Sequence, residues 1–197
     1  MSNAKRHIGR VLLAAGLIAS STAAFARGGG GGHSSGGGDI LSAGFAFLSP
    51  DQSDLNAFVD AQGVVGTKEL SSAYEFFIEY ESRFSGTMFA LAFRPSYFTE
   101  TASGGGVSAG VSGFTFFPIF RIYPLENDYF HLYFNVGVGY GQALVSLGSN
   151  GASGSYTGNT FGALAGLGVA ICFTASSCVS VEGNARYLPI KPVTGSG

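Results

Sequence analysis

The chain reads as all-β: an antiparallel up-and-down transmembrane β-barrel with seven strands visible and the eighth missing. Three observations carry that expectation. Seven segments alternate with a period of two, which places successive side chains on opposite faces of a strand. Only 11% of the residues are charged, while 18 Phe and 9 Tyr accompany 32 Gly. A water-soluble domain runs near ~25% charged. The connections alternate long and short, the rhythm of barrels with long outer loops and tight periplasmic turns. Beyond the N-terminus there is no run of roughly 18 apolar residues, so a helical membrane protein is excluded.

Residues 1–26 have the form of a secretory signal. Lys5, Arg6 and Arg10 form a positive start, residues 11–18 (VLLAAGLI) a short apolar core, and Ala24-Phe25-Ala26 a cleavage site. The core is too short for a transmembrane anchor. No Cys follows the site, so a lipoprotein is not indicated. Without Lys5, Arg6 and Arg10, seven Lys/Arg face twelve Asp/Glu, a net charge of −5. No basic patch exists, which argues against a nucleic-acid partner. Residues 27–38 (RGGGGGHSSGGG) form a flexible Gly-rich segment that cannot bury apolar area, and His33 within it reads as inert. The barrel domain occupies 39–197.

The first strand, 39–48, puts Leu41, Ala43, Phe45 and Phe47 on one face and ends at Ser49-Pro50. A long connection, 51–72, holds one possible helical turn over 55–59. Residues 73–98 form the central hairpin. Tyr74, Phe76, Ile78 and Tyr80 alternate with Glu75, Phe77, Glu79 and Glu81. A two-residue Ser85-Gly86 turn pairs Phe84 with Thr87, since Gly accepts positive φ. That register sets Glu81 opposite Ala90 and Glu79 opposite Ala92, with Arg94 one diagonal step from Glu79 and Glu75.

Residues 99–110 read as a polar, Gly-rich loop. Strand four, 111–123, has Phe114, Phe116, Phe120 and Ile122 on one side, with Thr115, Phe117, Ile119 and Arg121 on the other. Pro118 lacks a ladder donor, so a bulge is expected there. Residues 124–128 (PLEND) make a compact turn. Strand five, 129–145, alternates Phe130, Leu132, Phe134, Val136, Val138 and Tyr140 with Tyr129, His131, Tyr133, Asn135 and three glycines. Residues 146–158 form another polar loop. Strand six, 159–173, and strand seven, 178–188, complete the count. The chain then stops at KPVTGSG, before an eighth strand that closure requires.

These strands, together with NVGVGYG (135–141) and ARYLPIK (185–191), resemble the small eight-stranded outer-membrane barrels of the OmpA membrane domain, OmpX and OmpW group. The resemblance implies a cell outer-membrane protein of Gram-negative type, exported through a signal cleaved after Ala26. Outer-membrane lipid and the barrel-assembly machinery would be its partners. A terminal aromatic strand, usual in that group, is absent here.

By parity the inward set is Glu75, Glu79, Glu81, Arg83, Arg94, Arg121, His131, Tyr133, Asn135, Glu182 and Arg186. An eight-stranded interior is just wide enough to be filled by side chains. Opposed charges there should satisfy one another, because unpaired buried charge is costly. The inward glycines of strands five and six suggest free space in the outer half. Three carboxylates and His131 can be drawn as an acid–base site. Yet His131, beside Arg121 near the turn end, fits an ordinary lumen histidine, and no GxSxG, HExxH, P-loop or CxxC motif is present. The chain is therefore read as a non-enzyme without cofactor or metal. Cys172 and Cys178 face each other across the last hairpin, close enough for a disulfide in an oxidising compartment.

Two functions follow. One is an integral outer-membrane barrel with a structural, passive small-solute or surface-contact role. The other is a secreted soluble β-barrel or adhesin with an aromatic-lined pocket.

Overall fold

The computed structural model describes residues 21–26, 38–49, 72–104, 107–149, 152–174, 177–189 and 194–196. Its strands are β1 (Ser21–Ala26), β2 (Asp39–Leu48), β3 (Ala73–Arg83), β4 (Phe89–Gly104), β5 (Val107–Glu126), β6 (Phe130–Ser149), β7 (Ala152–Thr174), β8 (Ser177–Tyr187) and β9 (Thr194–Ser196). Seven of them, β2 to β8, run up and down in one curled antiparallel sheet, each paired with its neighbour in sequence. The eighth place, which the sequence reading leaves empty, is held by β1, paired with β2 on one side and β8 on the other. That strand lies inside the segment read as a signal. The connection 51–71, where one helical turn is expected over 55–59, and His33 lie outside the described residues.

Period-two patterning becomes two faces. Along β3, Ala73, Glu75, Phe77, Glu79 and Glu81 are buried, while Tyr74, Phe76, Ile78 and Tyr80 are exposed. The buried face is the interior of the curl. Its apolar residues fall into three groups. Phe77, Phe98, Val111 and Val145 lie toward the long hairpins, Phe117, Ile119, Leu164 and Leu188 in the middle, and Ala90, Tyr123, Tyr133 and Ala170 toward the tight turns.

The β3–β4 turn differs from the two-residue turn expected. Arg83 pairs with Ala90 and Glu81 with Ala92, a register two residues away. Four residues, Ser85 to Met88, make the turn. Phe84 N–H donates to Phe89 O at 3.0 Å and Thr87 N–H to Phe84 O at 3.1 Å. The Thr87 hydroxyl adds a bond to Phe84 O at 2.8 Å and accepts one from Phe89 N–H at 3.3 Å. Gly86 takes the positive φ, 70°. A slip of one residue would have swapped the faces, but a slip of two preserves them, so parity held although the register did not.

The two segments read as polar loops are strands. Thr99↔Ser112 through Gly104↔Val107 extend the β4–β5 ladder, and Ser146↔Ser155 through Ser149↔Ala152 extend β6–β7. Ladder bonds are backbone bonds, so a register fixed by the apolar half continues through Ser, Thr and Gly. The change in polarity marks the end of the apolar band, not the end of the sheet.

Pro118 passes through both ladders without a register shift. The irregularity lies between Ile122 and Leu125 instead, around Pro124. Residues 124–126 accordingly belong to β5, and the turn tightens to 127–129. The Asn127 side chain closes it by accepting from Tyr129 N–H at 3.0 Å and Phe130 N–H at 2.9 Å.

Candidate functional site

The interior is a charged plug. Arg94 from β4 donates to Glu79 (β3) at 2.7 Å and grips Glu182 (β8) through both terminal nitrogens, at 2.6 and 3.0 Å. Arg121 from β5 donates to Asn135 at 2.7 Å and to Glu79 at 2.9 and 3.2 Å, and also reaches Glu81 and Glu182. Two guanidiniums and three carboxylates therefore join strands from opposite sides of the curl. Such pairing is what burial of charge requires, because an uncompensated ion in the interior is strongly unfavourable.

Of the two partners within reach of Arg94 in the sequence, Glu79 and Glu75, it takes Glu79, while Glu75 accepts from Arg186 at 2.5 Å. The direct β3–β4 register brings Arg94 across from Glu79, and β8 curls round to supply Glu182. The sequence could not rank a partner that lies 88 residues away in the chain. His131 likewise does not sit beside Arg121. Its neighbours are Arg83 at 3.5 Å, Glu126 at 3.8 Å and Cys172 at 3.9 Å. The Ile122/Leu125 irregularity brings Glu126 opposite His131.

Every residue of the expected inward set is buried or partly buried. Other members were missed. Tyr123 donates to Glu81 at 2.8 Å, Asn184 donates to Glu182, and Tyr133, expected inside, donates to Glu182 at 3.2 Å. Phe77 and Phe117 were missed as ring partners. Each inward arginine lies over one ring: Arg83 on Tyr123 (4.1 Å), Arg94 on Phe77 (4.7 Å), Arg121 on Tyr133 (4.4 Å) and Arg186 on Phe117 (5.5 Å). Arginine suits this, since its planar fork bonds carboxylates in plane while its face stacks on an aromatic. The parity that found the charges also marks these rings as inward, and was the signal available for them.

The inward glycines are not free space. A methyl group on Gly139 would meet the Phe117 ring, on Gly162 Leu188, and on Gly168 the Tyr133 ring. The glycines are seats for large side chains reaching across a narrow interior. Leu188, just past β8, turns inward over Gly141 and Gly162, and Thr160 ties the segment down by donating to Pro189 O at 2.6 Å.

No family model matches this chain, and no curated protein matches it. The site must therefore be judged on its geometry. The carboxylates of the plug are engaged by arginine, tyrosine and amide donors. Among the described residues, four buried polar atoms have no partner: Glu75 Oε2, Asn135 Nδ2, Asn184 Oδ1 and Arg186 Nε. Two of them belong to the Glu75–Arg186 ion pair, and the other two to Asn135 and Asn184, which flank Gly166 in the β6–β7 and β7–β8 ladders.

At the turn end, Cys172 and Cys178 form the expected disulfide, directly opposite each other in the β7–β8 ladder. Cys172 is buried and Cys178 partly exposed.

Proposed function

We propose that the chain is an integral outer-membrane barrel. Its sealed interior acts as a rigid scaffold, and its long β4–β5 and β6–β7 hairpins make surface contacts. The carrying observation is the inverted placement of side chains. Arg83, Arg94, Arg121 and Arg186 all lie inward among carboxylates, while Phe45, Phe76, Ile78, Phe134, Val136, Val138 and Phe161 point outward and are exposed. Water penalises such an exterior, whereas a bilayer core welcomes it. Aromatic residues border the apolar band on both sides, with Tyr80, Tyr129 and Phe173 toward the turns and Tyr74, Tyr97 and Phe114 toward the hairpins. Membrane barrels place aromatic girdles at these two levels.

A spanning strand needs only about 9–11 residues, but β5, β6 and β7 have 20, 20 and 23. Their surplus carries Ser108, Ser146, Ser155 and Thr157 outward and extends beyond the apolar band. The sealing cluster of Arg94, Arg121, Glu79, Glu81 and Glu182 favours the scaffold role over solute passage. The resemblance to small eight-stranded outer-membrane barrels belongs to this proposal. So do export through the N-terminal signal, cleavage after Ala26, lipid as solvent and the assembly machinery as transient partner.

The test is fractionation of the protein expressed in a Gram-negative host. It should remain with outer membranes after carbonate washing and, reconstituted in a planar bilayer, show no steady conductance. Release by carbonate would remove the membrane reading, and a steady open channel would remove the sealed scaffold.

A further inference from the structure

We propose that the Cys172–Cys178 bridge, with His131 beside it at the turn-side mouth of the interior, is a thiol–disulfide exchange site that takes two electrons from a dithiol partner. The inference does not depend on the membrane reading, since it uses only the turn end of β6, β7 and β8.

Three observations converge. The first is an acid–base side chain set against sulfur: His131 Nε2 lies 3.9 Å from Cys172 Sγ. Its other ring nitrogen, Nδ1, faces Arg83 Nη2 at 3.5 Å. An arginine can only donate, so Nδ1 is the acceptor and the ring hydrogen is left on Nε2, which faces both Cys172 Sγ and, at 3.8 Å, the Glu126 carboxylate. Arg83 is itself held by Glu81 at 2.8 Å and by Glu126, and it stacks on Tyr123. The imidazole is thus oriented from behind.

The second observation is asymmetry. Cys178 is partly exposed and packs at the margin of the Ala90, Tyr123, Tyr133 and Ala170 group, while Cys172 is buried beside the imidazole. One sulfur is placed for attack and the other for departure. The third is that the fold has little need of the bridge. The β7–β8 ladder continues from Cys172 back to Ala163, and β7 is paired along its other side with β6. The bridge spans a sequence separation of only 6, and a loop that short gains little entropy from cross-linking. The sheet can therefore survive opening of the bond, as a reversible site requires.

The exchange balances as follows. A thiolate of the dithiol attacks Cys178 Sγ, a mixed disulfide forms, and the Cys172–Cys178 bond breaks. Cys172 departs as a thiolate, stabilised by the Nε2–H of His131, and takes a proton from water. The second thiolate of the partner then attacks its own sulfur in the mixed disulfide and releases Cys178, which is protonated in turn. Two electrons and two protons have passed to the cysteine pair, and the partner leaves as a disulfide.

The full chain folded in detergent micelles is the test system, with dithiothreitol as the dithiol probe. Trapping with iodoacetamide and mass analysis of the 172–178 peptides gives the reduction rate, while circular dichroism follows the fold. The bridge should open with the β signal unchanged. His131→Asn should slow opening about tenfold, the effect of losing a hydrogen bond to a charged sulfur. The ratio of the two rates should vary with pH across the imidazole range, which a packing change would not produce. Should His131→Asn fail to fold, Arg83→Gln, which frees Nδ1, should slow opening to a lesser degree. Opening only at the rate of global unfolding, equal rates in parent and variant, or free thiols in the folded protein before reduction would each overturn the proposal.

Discussion

Arg94 shows how one side chain ties three strands together. Its Nε bonds Glu79, its two terminal nitrogens take both oxygens of Glu182, and its face covers Phe77. Removing it leaves two carboxylates for which Arg121 is the one remaining cation within hydrogen-bond reach among the described residues, and breaking a buried pair in this way costs about 3–5 kcal/mol. Arg94→Leu should therefore lower the urea midpoint of the micelle-folded protein sharply. Glu182→Leu in the same chain should restore part of the loss, because the orphaned charge goes with it. A double-mutant cycle should return a coupling of at least about 1 kcal/mol, and simple additivity of the two losses would show that the bidentate pair is not formed.

Glycine is the other residue that decides the interior. Gly168 is covered by Tyr133, and the three atoms nearest to a methyl there all belong to that side chain, two ring carbons and the hydroxyl oxygen. Overfilling a packed site costs about 1–3 kcal/mol. Gly168→Ala should destabilise by that amount in the parent and by clearly less in a Tyr133→Leu background, measured as midpoint shifts. Parity marks Gly168 and Tyr133 as inward but not as touching, since contact across β6 and β7 depends on the twist and on which ring leans where. For that reason the sequence suggested space where there is a seat. The charges fared better. A period of two assigns a face without knowledge of register, so Glu79, Arg94, Arg121 and Glu182 were all placed inside, while their pairing awaited the curl.

Among the elements, the strands whose two faces differ most in polarity were the easiest to read. β3 shows its alternation in eight consecutive residues, and its faces are as expected. In the far halves of β5 to β7 the pattern is inverted and weak: Ala109, Val111, Ala143 and Val145 face inward while Ser108, Ser146, Ser155 and Thr157 face outward, and the many small and polar residues around them read as loops. Turn length was misjudged because the hydroxyl of Thr87, not the Ser85-Gly86 pair alone, closes the β3–β4 connection. The exposed face of β6 is the clearest place to test what surrounds the barrel. Val136 and Val138 point outward at mid-strand and are among the more exposed apolar residues. Val136→Arg should cost about 2–4 kcal/mol in a bilayer, where depth sets the penalty. In a short-chain detergent the loss should be smaller. Equal folding yields for Val136→Arg and parent in lipid vesicles would place that face in water.

For the whole molecule, the sheet closes through β1, and β1 is where the sequence and the fold pull apart. Residues 21–26 read as the end of a signal, yet Ala23 pairs with Ala43 of β2 and with Val179 of β8. With β1 in place, Ala43 and Val179 lie two strands apart, about 10 Å at the ~4.8 Å spacing of neighbours. A disulfide cannot bridge Cα atoms more than about 7 Å apart. Cysteines at 23 and 179 are directly opposed and should cross-link on mild oxidation, whereas cysteines at 43 and 179 should not, with products mapped by peptide mass so that the Cys172–Cys178 bridge is told apart. Applied to protein isolated from outer membranes and sequenced from its N-terminus, the same pair of variants tests the proposed export. A chain beginning at Arg27 has no residue 23 to link. If its edges stay apart, the 43/179 pair remains unlinked and the edge strands β2 and β8 each keep a row of unpaired backbone groups, which are costly in hydrocarbon. Efficient 43/179 cross-linking would mean instead that β2 and β8 meet directly. We expect the full chain to give the 23/179 link alone, and failure to form it would remove β1 from the ladder.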